Sequence, residues 1–123
     1  MILNHKIKVV FHIDKDEDEI LRLSLNNIKN FIDESLLENY LYEIALVANY
    51  KAPLLFLKSS INEDKLRFIK ELNERGVKIY ICERSMKALN IRKEDLIDYC
   101  KTTPSGVFKI AELEKEGFAY IKP

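Results

Sequence analysis

Glycine is scarce in this chain, with three in 123 residues. Gly76, Gly106 and Gly117 never stand at P-loop spacing ahead of a Lys-Ser/Thr pair, which excludes nucleotide hydrolysis by that route. A dinucleotide fingerprint needs glycines in the first strand-to-helix turn so that backbone can approach a pyrophosphate. The turn at 14–19 reads DKDEDE and would meet a phosphate with carboxylates. An excess of one charge is also missing: 20 Lys+Arg oppose 20 Asp+Glu, leaving no basic field for a phosphate backbone and no nucleic-acid partner expected. Only His5 and His12 supply imidazole, no GxSxG elbow occurs, and no serine triad is supported. Two cysteines, Cys82 and Cys100, are too few for a disulfide scaffold, and neither C-x2-C nor H-x3-5-H spacing marks a zinc site. No apolar run approaches the roughly 18 residues that span a bilayer. The first segment, MILNHKIKVVFHID, carries charges where a signal peptide stays apolar, so the expectation is a cytoplasmic protein without membrane contact.

What is present is an ordered alternation. IKVVFHI at 7–13 is a β-branched, aromatic run that reads as a buried first strand. Leu21, Leu25, Ile28 and Ile32 then recur at helical spacing, with Arg22, Asn26 and Lys29 on the other side, and predict an amphipathic helix to 32. LYEIALVA at 41–48 is a second strand ending before Asn49. PLLFL at 53–57 reads as a short helix opened by proline, and four bulky apolar residues in a row there point to an interface with another chain. The spacing of Ser60 and Glu63 fits a capping box for a helix that Gly76 stops. A third strand follows at 77–82, a short helix at 83–89, and a fourth strand at 99–103. A helix capped at Thr103-Pro104 or Ser105 then runs to Glu116, is stopped by Gly117, and leads to a last strand at 118–121. The fold class expected is α/β, a three-layer α/β/α sandwich around a mostly parallel five-stranded sheet. No linker or repeat interrupts it, so residues 1–123 form one domain.

In such sheets the site lies beyond the carboxyl ends of the strands. Those ends offer His12 and Asp14, then Asn49, then Cys82, then Thr103 to Gly106. Cys82 is the one strong nucleophile among them. At a strand-to-helix junction backbone N–H groups stabilise a thiolate, with Arg84 adding to the effect and Glu83 opposing it. The alternative is a small apolar side chain that packs and does nothing more. His12 with Asp14 leaves a metal pair open, against a histidine that only hydrogen-bonds a loop. If strands three and four are parallel neighbours, Cys82 and Cys100 stand roughly 10 Å apart, beyond the ~7 Å reach of a disulfide, and no bridge is expected.

Three stretches, KVVFHIDKDEDEILRLSLNNIKNFI, GVKIYICERSMKALNI and TPSGVFKIAELEKEGFAYIKP, resemble the DsrE/DsrF-like family in collinear order through nearly the whole chain. The resemblance implies homo-oligomers, often trimers or hexamers, and in the sulfur-relay members persulfide transfer through a cysteine between sulfur donor and acceptor proteins, a sulfurtransferase activity. Matched by position, Cys82 is the catalytic cysteine at the end of strand three, Asn49 an asparagine ending strand two, and His12 a strand-one histidine. Asn49 and His12 would orient the incoming persulfide, and N–H groups at Ser105 and Gly106 would stabilise its charge. The scheme requires no cofactor, metal or nucleotide. Tyr50 departs from the glycine many relatives place after that asparagine. The competing expectation is a non-catalytic, homo-oligomeric small-ligand binding or assembly module.

Overall fold

The computed structural model of the protein describes residues 5–123; residues 1–4 of the expected domain lie outside them. The elements alternate: β1 (His5–Ile13), α1 (Asp18–Leu37), β2 (Tyr40–Ala48), a 3-10 helix (Ala52–Phe56), α2 (Glu63–Glu74), β3 (Lys78–Cys82), α3 (Glu83–Ala88), a second 3-10 helix (Lys93–Asp95), β4 (Cys100–Thr103), α4 (Gly106–Lys115) and β5 (Ala119–Ile121). The five strands form one sheet in the order β4-β3-β2-β1-β5, and every pairing is parallel rather than mostly so.

That order explains where the helices go. Strands one to four step in one direction across the sheet, so the connections between them fall on one face under the right-handed crossover rule. α1 and α2 cover that face with the predicted stripe of Leu21, Leu25, Ile28 and Ile32, joined by Ile69, Leu72 and Met86, over Val9, Phe11, Ile13, Leu46 and Ile81. The chain then reverses to reach the far edge beside β1. α4 therefore lies on the opposite face, where Ile110 and Leu113 cover Val10, Ala45, Val47 and Phe118. This is the three-layer sandwich, with its second helical layer reduced to one helix.

Local signals account for most boundaries and correct two of them. α1 continues past Ile32 to Leu37, and the Ser35 hydroxyl donates to Phe31 O at 2.7 Å within that last stretch. The stop comes from Asn39, whose φ of 60° is the left-handed conformation asparagine tolerates. α2 is capped by Asn62 rather than by Ser60: Asn62 Oδ1 accepts the Lys65 N–H at 2.8 Å, and Gly76 follows the helix at φ 95° as expected. Ser105 is the cap of α4, accepting from the Phe108 N–H at 3.3 Å, and Pro104 precedes it.

The apolar run at 53–57 does not form an exposed interface. Pro53, Leu55 and Phe56 are buried and Leu54 and Leu57 half-buried, because the 3-10 helix rotates the side chains by a third of a turn each and tucks them among Ala52, Leu96 and Ile97. The apolar surface that is exposed lies elsewhere, at Leu36, Leu37 and Leu41 and at Val107 and Phe108.

Candidate functional site

The reversal of chain direction fixes the location of the site. The loop after β3 turns to the face of α1 and α2, whereas the loop after the neighbouring β4 turns to the face of α4. Between two adjacent strands whose connections part in this way a crevice opens at the carboxyl ends. Cys82 ends β3 opposite Thr103, which ends β4, and α4 begins three residues later. Cys82 thus stands at that crevice, 5% exposed. Cys100 lies opposite Ile79, three residues back along the ladder, so about 10 Å separates it from Cys82 and both thiols are free.

Gly106 holds the crevice closed. A β-carbon at this position would stand 3.2 Å from Cβ of both Asn49 and Cys82, and 3.4 Å from Cγ1 of Val47. The first turn of α4 therefore rests directly on the ends of β2 and β3. The polar groups that bear on the Cys82 thiol are the Ser85 hydroxyl and the main-chain N–H groups of Ser85, Gly106 and Arg84, although the Cys82 side chain makes no capping hydrogen bond to the helix it precedes. Burial, the largest single influence, pushes the Cys82 thiol up, but these polar groups together outweigh it and leave the group below its ordinary value. Arg84 contributes through its main chain, whereas the sequence had pointed to its side-chain charge. Cys100 is tuned the other way, since burial without such donors pushes it up to about 12.

His12, Asn49 and Tyr120 form a chain beside the thiol. Asn49 Oδ1 lies 2.7 Å from His12 Nε2 and so accepts its hydrogen, while the Tyr120 hydroxyl lies 2.7 Å from Nδ1. Asn49 is fixed in turn by its own N–H, which donates to Ile13 O at 3.1 Å. Both ring nitrogens of His12 are therefore committed, and Asp14 is bound by Lys122 at 2.8 Å. The pair left open as metal ligands is thus engaged elsewhere, and the described residues hold no group of three or more His, Cys, Asp or Glu side chains suited to an ion.

The sites expected from the sequence come together to different degrees. Gly106 stands against both Cys82 and Asn49, His12 joins through Asn49, and Ser105 lies one residue from Gly106 with its hydroxyl engaged in capping α4. Two residues escaped the sequence reading. Tyr120 reaches His12 because β5 pairs with β1, placing it opposite Val10 on the same face. Ser85 is the third residue of α3, the helix that follows Cys82, although no capping hydrogen bond joins the two. Ser85 Oγ accepts the Tyr50 N–H at 2.8 Å, and Tyr50 takes φ 55°, the left-handed region that suits the glycine expected of relatives. Beside this loop is a depression of about 260 Å³ lined by Tyr50, Lys51, Arg84, Ser85, Ala88 and Leu89.

Fold and site together define a parallel α/β sandwich protein with one cysteine at its carboxyl-end crevice. Residues 5–123 match the model of the DsrE/DsrF-like family, and the chain belongs to that family. Among solved structures it is similar to a protein of unknown function, MTH1491 from Methanobacterium thermoautotrophicum. That likeness has a TM-score of 0.83 at 29% identity, covering 95% of this chain and 99% of the other. The ychN protein from E. coli shares the fold, with a TM-score of 0.68 at 17% identity over 97% of this chain and 99% of its own. No curated protein matches the chain. No helix among the described residues is long and apolar enough to cross a membrane.

Proposed function

We propose that this protein is a sulfur carrier in which Cys82 accepts and passes on a persulfide sulfur. The thiolate of Cys82 attacks the outer sulfur of a donor persulfide, forming the Sγ–S bond as the donor's S–S bond breaks and its thiolate leaves. An acceptor thiol then takes the outer sulfur in the reverse exchange. Such chemistry asks for a stabilised thiolate and an orienting shell. The observation that carries the reading is the place of Cys82 at the carboxyl end of β3, opposite Thr103 and against the first residue of α4, with a thiol held below its ordinary value while burial raises that of Cys100. Asn49 and His12 are the orienting residues in this scheme, with the N–H groups at Ser105 and Gly106 receiving negative charge. The partners are sulfur donor and acceptor proteins, met in the cytoplasm.

The test is intact-protein and peptide mass spectrometry after incubation with a persulfide donor. A species heavier by one sulfur should map to Cys82, vanish in Cys82→Ser and persist in Cys100→Ser. Loading that survives in Cys82→Ser sinks the scheme.

A second reading, a homo-oligomeric assembly or small-ligand module, has its own support in the exposed apolar corner of Leu36, Leu37 and Leu41, with Leu37 75% exposed. Sedimentation at micromolar concentration tests it, with a trimer or hexamer expected and a monomer counting against it. An inert thiol at Cys82 in a well-folded protein would favour this reading over sulfur transfer.

A further inference from the structure

Tyr120, His12, Asn49 and Cys82 stand in a row across the sheet, contributed in turn by β5, β1, the end of β2 and β3, which are neighbours in that order. Val10, Ala45, Val47 and Tyr80 face α4. Alternation along each strand therefore puts His12, Asn49 and Cys82 on that same face, and Tyr120, opposite Val10, joins them. The register carries the row to the sulfur. Ala48 pairs with Ile81, so the residues that follow, Asn49 and Cys82, are side by side, and Gly106 stands against the Cβ of both.

Two hydrogen bonds give the row a direction. A phenol is a better donor than acceptor, so the Tyr120 O–H donates to His12 Nδ1 at 2.7 Å. An imidazole that accepts at Nδ1 carries its hydrogen on Nε2, and Asn49 Oδ1 accepts it at 2.7 Å. The opposite tautomer would have to receive a hydrogen at Nε2 and would turn the amide end for end. With Oδ1 committed to His12 on the β1 side, the NH2 is the arm turned from His12. The bond to His12 is the only one the Asn49 side chain makes among the described residues. Asn49 is half-buried and seals no polar atom without a partner, so its NH2 is open to what enters the crevice.

We propose that Tyr120 is a positioning residue of the sulfur site: through the His12 tautomer it sets the sense of the Asn49 amide, so that an N–H donor and not a carbonyl oxygen meets negatively charged sulfur at Cys82. A donor suits an anion there, whereas a carbonyl lone pair would repel it. No covalent bond changes along the row. In the free protein the donor meets the Cys82 thiolate, and in transfer it meets the anionic sulfur of the incoming persulfide. The transfer role rests on the sulfur-carrier reading, whereas the thiolate role is tested without it.

The test uses proteins that carry Cys100→Ser, so that Cys82 is the single thiol. Nitrogen NMR of a His5→Gln form, in which His12 is the sole imidazole, should find the ring hydrogen on Nε2; a hydrogen on Nδ1 overturns the proposal. The ratio of thiolate to thiol is read from ultraviolet absorbance at neutral pH against a Cys82→Ser blank. It should fall about tenfold in Asn49→Ala, the loss of one hydrogen bond to a charged group, and about threefold in Tyr120→Phe, which keeps the amide but frees its sense. The double variant should fall no further than Asn49→Ala alone. An unchanged ratio in Tyr120→Phe, or two effects that multiply in the double variant, shows that the hydroxyl does not act through Asn49 and overturns the proposal. If Asn49→Ala does not fold, the tautomer and the Tyr120→Phe ratio decide. Incubation with inorganic polysulfide, read by mass, separates the two readings: a parent that stays unloaded removes the carrier reading, and the role of Tyr120 then stands or falls on the thiolate ratio.

Discussion

Replacing Gly106 by alanine sets two effects of opposite sign against each other. Inside a helix alanine is ordinarily favoured over glycine by about 0.5–1 kcal/mol, because it loses less backbone freedom on folding. At Gly106 the new Cβ would meet Asn49 Cβ and Cys82 Cβ at 3.2 Å and Val47 Cγ1 at 3.4 Å, inside the roughly 3.5–4.0 Å at which carbon pairs attract. The two Cβ neighbours cannot swing aside. A Cβ moves only with its backbone, and the backbones here are the ends of β2 and β3, tied by the Asn49 N–H to Ile13 O and by the Cys82–Thr103 pairing. The first turn of α4 must back away instead. Overpacking of this kind costs about 1–3 kcal/mol, so the net effect is a destabilisation of about 1 kcal/mol in spite of the better helix former. The same displacement moves away the Gly106 N–H, one of the groups that lower the Cys82 thiol, and alkylation of Cys82 at neutral pH should slow by about threefold or more. Urea unfolding and iodoacetamide kinetics in a Cys100→Ser background measure both. Val107→Ala is the control, since Val107 is exposed and gains propensity without meeting the strands. A Gly106→Ala protein as stable as its parent, with unchanged thiol reactivity, would refute the contact argument.

Three further substitutions separate strain, burial and surface charge. Tyr50→Gly removes the cost of a left-handed tyrosine and little buried area, since Tyr50 is 64% exposed; thermal unfolding should show stability unchanged or raised by up to about 1 kcal/mol, and a clear loss would mean the ring matters more than the backbone. Asn49→Ala strips the acceptor from His12 Nε2, a group 9% exposed, and should cost about 1–3 kcal/mol in urea; a neutral result would show that water replaces the amide. Lys122→Ala removes the hydrogen bond that chiefly holds the Asp14 carboxyl below its ordinary 3.8. A lowered carboxylate contributes stability above its unfolded value and loses it as pH falls through the folded one. The variant should therefore lag its parent by no more than about 0.5 kcal/mol at neutral pH, because the pair is partly exposed, and the gap should close on acidification below 3.8. A gap that widens with acid would reverse the assigned sign.

The elements were legible in the sequence where periodicity and terminal chemistry agree. The stripe from Leu21 to Ile32 and the stops at Gly76 and Gly117 needed nothing beyond nearest neighbours, and Gly76 and Gly117 do take φ 95° and 98°. α1 outran its stripe because Ser35, Leu36 and Leu37 form helix without burying an apolar face, and only Asn39 ends it. The run at 53–57 misled for a geometric reason: its side chains are as apolar as an interface, but 3-10 geometry and the return of the chain at Leu96 and Ile97 give them a core within the same molecule.

The site was legible in part, and the part that was missed has a common cause. Cys82, Asn49 and His12 could be listed as strand ends because a strand end is a local property. Their mutual arrangement depends on strand order, which no local pattern encodes; the position of β5 beside β1 is what brings Tyr120 to His12, and the reversal at β4 is what lays Gly106 on Cys82. The stabilisation of the thiol was missed for a further reason. Three of the four groups that lower it are main-chain N–H groups, which every residue but proline possesses, so their placement is set by the fold and leaves no mark on residue type. Side-chain charge is what a sequence displays, and Arg84 and Glu83 accordingly drew the eye although neither side chain holds the sulfur. The one donor with a side-chain signature is Ser85, three residues after Cys82, and the reactivity of Cys82 should therefore respond to substitution at Ser85 and Gly106 but not to charge reversal at Glu83, which alkylation of a Glu83→Lys protein would check.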